Sequence, residues 1–180
     1  FGLTFGIGAF MLYMLFIIGQ LAWQSKAGKF GTFVMFLGLA FGIWIEPEMV
    51  NPRSQLFEAH PEWAVGIPGR TRSELRNQLV LDLSNPQVVD HLEQAIGQIL
   101  ASAPIAYVKW DMNRIITEPY GASLPPGQQG EFFHRYVLGV YDLYDRLTRR
   151  FPDILFESCA SGGGRFDPGI FRIGDTLSKE

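Results

Sequence analysis

Residues 105–113 read IAYVKWDMN: apolar at first, polar at the end. That pattern predicts a buried strand with a polar C-terminal end. Side chains alternate along a strand with period two, so Lys109, Asp111 and Asn113 share one face. Outward from it, residues 41–45 (FGIWI), 77–83 (NQLVLDL) and 154–160 (ILFESCA) have the same short apolar character. Two of them also turn polar at their ends, at Trp44 and Glu46 and at Glu157 and Cys159. Helical patterns lie between. Residues 54–60 suit a short helix stopped by Pro61. Ser84 or Asn85 is expected to cap a helix with Pro86 at its first position. Val88, Leu92, Ala95, Ile96 and Ile99 would form its apolar stripe. After the Gly/Pro-rich residues 120–130, a long helix presents Phe133, Tyr136, Val137, Val140, Tyr144 and Leu147 on one face. Arg146, Arg149 and Arg150 complement the dipole at its C-terminal end.

Strands alternating with helices argue for an α/β protein with a parallel sheet and crossover helices. In such sheets the C-terminal strand edge carries the chemistry. No glycine-rich phosphate loop follows a strand in the expected form, which favours a barrel over an open sheet. Three or four βα units are present, where a barrel needs about eight. The expected architecture is therefore a partial (β/α)8 TIM-type barrel over residues 37–180. Residues 1–36 form a separate apolar segment that does not fit it.

Charge and composition exclude several classes. Fifteen basic against eighteen acidic side chains leave a net charge of -3, without the footprint of a nucleic-acid binder. A chain that is 47% hydrophobic and 14% aromatic is not disordered. The single cysteine, Cys159, rules out an internal disulfide and any CxxC site. Residues 1–45 carry only two charges, Lys26 and Lys29, and residues 1–23 carry none. That stretch exceeds the roughly 18 residues a spanning helix requires. A buried core segment is the competing reading.

The candidate chemistry gathers at the strand ends. Asp111 beside Lys109 would be held ionised, which a carboxylate nucleophile needs. A structural ion pair would look the same. Trp44 could stack on a sugar or simply fill core, and Arg76 could grip a hydroxyl or carboxylate or stay solvated. Cys159, followed by SGGGR, suggests a tight loop close to a ligand. A plain buried thiol is the alternative. His60, His91 and His134 lack ligand spacing, so surface or capping roles are expected rather than metal. No HExxH, GxSxG or Walker A pattern supports zinc, serine or P-loop hydrolysis.

Longer motifs add a resemblance. FGIWIEPEMVNP, HPEWAVGIPGR, RNQLVLDLS, APIAYVKWDMNR, HRYVLGVYDLYDRLTRRFP and LFESCASGGGRFDPG resemble the bacterial α-galactosidases of glycoside hydrolase family 36, in order and spacing. The match runs from about residue 37 to 169. A weaker extension lies at residues 23–30, and residues 1–18 show no counterpart. The resemblance implies a (β/α)8 barrel flanked by β-domains and hydrolysis of terminal α-linked galactose with retention. It implies no metal, cofactor or nucleotide, a cytoplasmic bacterial setting, and oligomerisation of the full-length enzyme. It implies Asp111 as nucleophile, with Lys109 and Asn113 contacting the sugar. Trp44 would line the galactose site, Arg76 bind substrate, and Cys159 and Gly162 complete the pocket wall. The family's acid/base is an Asp in a Ser-Asp-x-Thr-Asp motif about a dozen residues after FDPG. Residues 170–180 read IFRIGDTLSKE, and Asp175 does not match it. The acid/base is therefore expected outside this chain, and the chain alone is expected to be inactive. The competing function is a membrane-anchored, non-catalytic remnant that binds sugar or nothing, with residues 1–23 as its anchor.

Overall fold

The computed structural model describes residues 42–160 and 168–170. The apolar segment 1–36, the candidate spanning stretch 1–23 and Gly162 lie outside the described residues. Three strands form one sheet: β1 (Gly42–Ile45), β4 (Tyr107–Trp110) and β5 (Leu155–Ser158), in the order β1-β4-β5. β4 and β5 run parallel, with Lys109 opposite Glu157 and Trp110 opposite Ser158. Between β1 and β4 come β2 (Met49–Val50), α1 (Gln55–Ala59), β3 (Leu79–Val80) and α2 (Pro86–Ser102). Between β4 and β5 comes α3 (Phe132–Arg150). Sheet neighbours follow chain order, as in an arc of a parallel barrel. The protein is α/β.

One expected strand of that arc is not part of it. Of NQLVLDL, only Leu79–Val80 forms a strand, and it pairs antiparallel with β2 in a separate two-stranded sheet. The cause is local. Arg76 and Asn77 take left-handed backbone conformations, φ 55° and 59°. They fold Leu75 and Gln78 into a mutual pair of backbone hydrogen bonds of 3.2 and 3.0 Å. The chain leaves this turn alongside β2, and Leu81 N–H donates to the Glu48 carbonyl at 2.9 Å. Leu79, Val80 and Leu81 are all buried, so the run is apolar throughout and its composition does not reveal which sheet it joins.

The helices form where their caps and stripes predict, with two shifts. Asn85 caps α2 by accepting from Gln87 N–H at 3.0 Å, and Pro86 follows at the first position. Val88, Val89, Leu92, Ile96 and Leu100 are buried, whereas Ile99 points outward. On α3 the buried face is Phe132, Tyr136, Val140, Leu143, Tyr144 and Leu147. Phe133 and Val137, expected on one face with Tyr136 and Val140, line the groove with them but are 53% and 40% exposed. The apolar stripe of α3 is wider than the surface that covers it. The arginines at its end do more than complement the dipole. Arg146 bonds Asp90 and Arg150 bonds Glu93, both at 2.6 Å, tying α3 to α2. Gly97 of α2 leaves the space that the Arg150 guanidinium fills.

The sheet face toward α3 is apolar. Val108 and Trp110 are fully buried, and Trp110 and Phe156 both pack on the Tyr144 ring. Glu48 accepts from Trp110 Nε1 at 3.1 Å and from the Tyr136 hydroxyl at 2.7 Å. Among the described residues no helix is long and apolar enough to cross a membrane.

Candidate active site

Asp111 follows β4 directly and is held from both sides. Its N–H donates to the Ile45 carbonyl of β1 at 2.9 Å. Beyond β5, Cys159 N–H donates to Trp110 O at 2.8 Å, and Met112 N–H donates to Cys159 O at 3.1 Å. The pairing thus continues past both strands and fixes the Asp111 backbone. Because Val108, Trp110 and Met112 face the core, the alternation sends Lys109, Asp111 and Asn113 to the opposite face.

The Asp111 carboxylate is 7% exposed and well supplied with donors. Trp44 Nε1 donates to Oδ2 at 3.1 Å, Asn113 Nδ2 donates to the same oxygen at 2.5 Å, and Met112 N–H donates to Oδ1 at 3.0 Å. Burial pushes this carboxyl up. Hydrogen bonds from Asn113, Trp44, Cys159 and the Met112 N–H outweigh it and hold the group below the usual aspartate value. Asp111 therefore stays ionised at neutral pH.

Lys109 is not the group that keeps it so. Lys109 Nζ sits 3.0 Å from Glu157 Oε1, its cross-strand partner, and that contact leads the upward shift of the ammonium. The Tyr107 hydroxyl also donates to Glu157, and with burial this pushes the phenol up to about 12. The ionisation expected from the Lys109 neighbour comes instead from neutral donors.

Trp44 is 54% exposed, with an open ring and an anchored indole N–H. Arg76 reaches in from its left-handed turn, with Nη1 3.6 Å from Glu46 Oε1. Glu46 also accepts from Gln78 Nε2 at 2.7 Å and from Asn113 Nδ2 at 3.2 Å. Trp44, Lys109, Asp111, Asn113 and Cys159 thus meet at one strand edge, with Arg76 joined through Glu46. From the sequence Glu46 is legible only as the polar end of β1. Its spacing of two from Trp44 was the signal that it shares the site's face.

His60 and His91 converge on Trp63. His60 stacks on it at 3.9 Å, and the His91 ring meets its edge at 5.4 Å. The His60 N–H also closes α1 by donating to Leu56 O, so its place is structural. A groove of about 860 Å³ opens beside the strand edge rather than over Asp111. Leu75, Ile115, Phe133, Val137 and Tyr141 line it, and only Met112 and Asn113 of the strand end reach it.

The Melibiase family model matches residues 16–177, further at both ends than the motifs alone. Alpha-galactosidase AgaA of Geobacillus stearothermophilus is 59% identical over 134 residues, 74% of this chain and 18% of that protein. Alpha-galactosidase 1 of Pediococcus pentosaceus is 47% identical over 155 residues, 82% of this chain and 21% of that protein. The crystal structure of AgaA superimposes with a TM-score of 0.71 at 55% identity, covering 78% of this chain and 20% of AgaA. A variant of AgaA in complex with raffinose gives 0.69 at 58% identity, covering 72% and 18%. The chain spans about a fifth of the length of the curated relatives it matches. With a family model covering most of its residues, the chain belongs to the Melibiase family, glycoside hydrolase family 36.

Proposed function

We propose that this chain is the nucleophile-bearing part of a retaining α-galactosidase, with residues 37–180 as its share of the catalytic barrel. The observation that carries the reading is the Asp111 carboxylate: buried, ionised, held by neutral donors, and set beside an open tryptophan ring. A retaining glycosidase works with two carboxyl groups about 5–5.5 Å apart. In the first step an Asp111 oxygen attacks the anomeric carbon of galactose. The glycosidic C–O bond breaks, and the acid/base carboxyl gives its proton to the leaving oxygen. In the second step that carboxylate takes a proton from water, whose oxygen displaces Asp111 and restores the starting configuration. The acid/base is assigned to a residue outside the described ones. Trp44 would stack on the apolar face of the sugar. Lys109, Asn113 and Arg76 would take its hydroxyls, and Cys159 and Gly162 would close the pocket. Raffinose and stachyose, bound in the AgaA structures, indicate the substrate class.

The test uses a hybrid in which residues 37–169 replace their counterpart in the Geobacillus enzyme. The hybrid is expected to hydrolyse an aryl α-galactoside, and Asp111→Asn to reduce kcat by at least about 10³-fold without loss of fold. Activity of the Asn variant above a few per cent of the parent would remove Asp111 from the role.

A further inference from the structure

We infer that Glu46 is a positioning residue that aims the Asn113 amide at the nucleophile, an inference resting on the function proposed above. Its side chain is 9% exposed, and three donors converge on its two oxygens. Asn113 Nδ2 and Arg76 Nη1 face Oε1, at 3.2 and 3.6 Å, and Gln78 Nε2 faces Oε2 at 2.7 Å. The same Asn113 Nδ2 donates to Asp111 Oδ2 at 2.5 Å.

The geometry has a chemical consequence. A primary amide nitrogen carries two N–H bonds. With one directed to Glu46 Oε1 and the other to Asp111 Oδ2, the plane of the amide is fixed. The flipped amide would aim its carbonyl oxygen at two carboxylates, so Glu46 and Asp111 together exclude it. Glu46 thereby holds a donor on the nucleophile without touching the sugar. It also links the left-handed turn that bears Arg76 to the end of β4. The two elements are separated in sequence but bound to one carboxylate.

Loss of the Glu46 acceptor would remove one of the two bonds made by the Asn113 amide nitrogen, and the bond it gives Asp111 would be aimed less well. A carboxylate whose donor weakens titrates higher, and one that loses a neighbouring like charge titrates lower. Glu46→Ala does both to Asp111, Glu46→Gln only the second, and Lys109 and Glu157, the other charged pair at this edge, are the same in both. Ionised Asp111 is the attacking form, so the acid limb of kcat/KM would lie at higher pH in Glu46→Ala than in Glu46→Gln. Glu46→Gln keeps an acceptor for Asn113, and Gln78 can turn its amide to meet the new N–H.

The experiment measures kcat, KM and the pH profile of the hybrid carrying Glu46→Ala, Glu46→Gln or Asp111→Asn, on an aryl α-galactoside. Glu46→Ala is expected to lose about 10–100-fold, mainly in kcat. Glu46→Gln is expected within about fivefold of the parent, with its acid limb at lower pH than that of Glu46→Ala. A fold role alone would not separate the limbs of the two variants. Equal losses in both, or coincident limbs, overturn the inference. If Glu46→Ala does not fold, Glu46→Leu replaces it, and failure of both to fold also counts against it. The Asp111→Asn arm separates the two claims. Turnover that survives there sinks the nucleophile assignment, whereas its loss beside a normal Glu46→Ala sinks only the role of Glu46.

Discussion

The strand edge and the outer face of α3 differ in how far each completes itself. At the edge, Asp111, Asn113, Glu46 and Trp44 find partners within the described residues, from elements far apart in sequence. The face of α3 toward the groove does not. Phe133 and Val137 stand open there, and Ile115 and Leu75 opposite are 80% and 52% exposed. The polar constellation needs only the ends of three adjacent strands and one turn. The apolar face needs another layer to cover it. A contiguous piece of a barrel can thus hold the geometry of its chemistry while lacking the burial that makes it stable.

The largest effect expected from this contrast is association of the 180-residue chain. The apolar face left exposed among the described residues favours it. Size-exclusion chromatography with light scattering, without detergent, should find aggregates or oligomers. Replacing Phe133 and Val137 with Glu and Lys should shift the population toward smaller species. A clean 20.3 kDa monomer with a cooperative melt would break the comparison, because the groove face would then not be a liability.

Next in size is Glu48, which stands where the two regions meet. It lines the groove and accepts from the buried Trp110 and Tyr136 donors. Glu48→Ala strips both of an acceptor at a site 1% exposed. The expected cost is about 2–4 kcal/mol, since an unsatisfied buried donor costs about 1–3 kcal/mol. Denaturant unfolding of the hybrid, followed by tryptophan fluorescence, measures it. A change under about 0.5 kcal/mol would mean that water replaces the carboxylate there.

Much of this was legible in the sequence, for physical reasons that vary by element. Asn85-Pro86 fixed the start of α2, because a side-chain acceptor and a restrained φ act within a few residues. The common face of Lys109, Asp111 and Asn113 followed from strand alternation alone. The partner of Lys109 did not, since Glu157 lies 48 residues away and cross-strand register is a tertiary fact. The turn at Arg76 and Asn77 was hidden because arginine takes the first of its two left-handed positions, and only Asn77 is of a type enriched there. The exposure of Phe133 and Val137 was hidden for another reason. Periodicity identifies an apolar face but not whether anything covers it.

Asp82 sharpens the comparison with the smallest expected effect. It is polar and 1% exposed, yet unlike Asp111 it is not fully partnered. Oδ1 accepts from the Ser84 N–H at 3.0 Å and from the Ser84 hydroxyl at 2.5 Å, while Oδ2 is buried without a hydrogen-bond partner. Gly121 closes over it, so near that a Cβ there would lie 2.8 Å from Oδ2. Burial pushes the carboxyl up, and the two bonds from Ser84 only partly offset it. A group raised in the folded state contributes its stability below the unfolded pKa and loses it as pH rises through the folded value. Above the ordinary aspartate range Asp82 therefore costs the native protein stability. Asp82→Asn keeps the acceptor toward Ser84 and removes the charge. The hybrid carrying it should be more stable than the parent at pH 7, by less than the Glu48 variant loses. The gap should close as pH falls below the ordinary aspartate range. Unfolding across that pH interval is the measurement, and an Asn variant less stable than the parent at pH 7 would place Asp82 among the satisfied polar groups, alongside the strand edge.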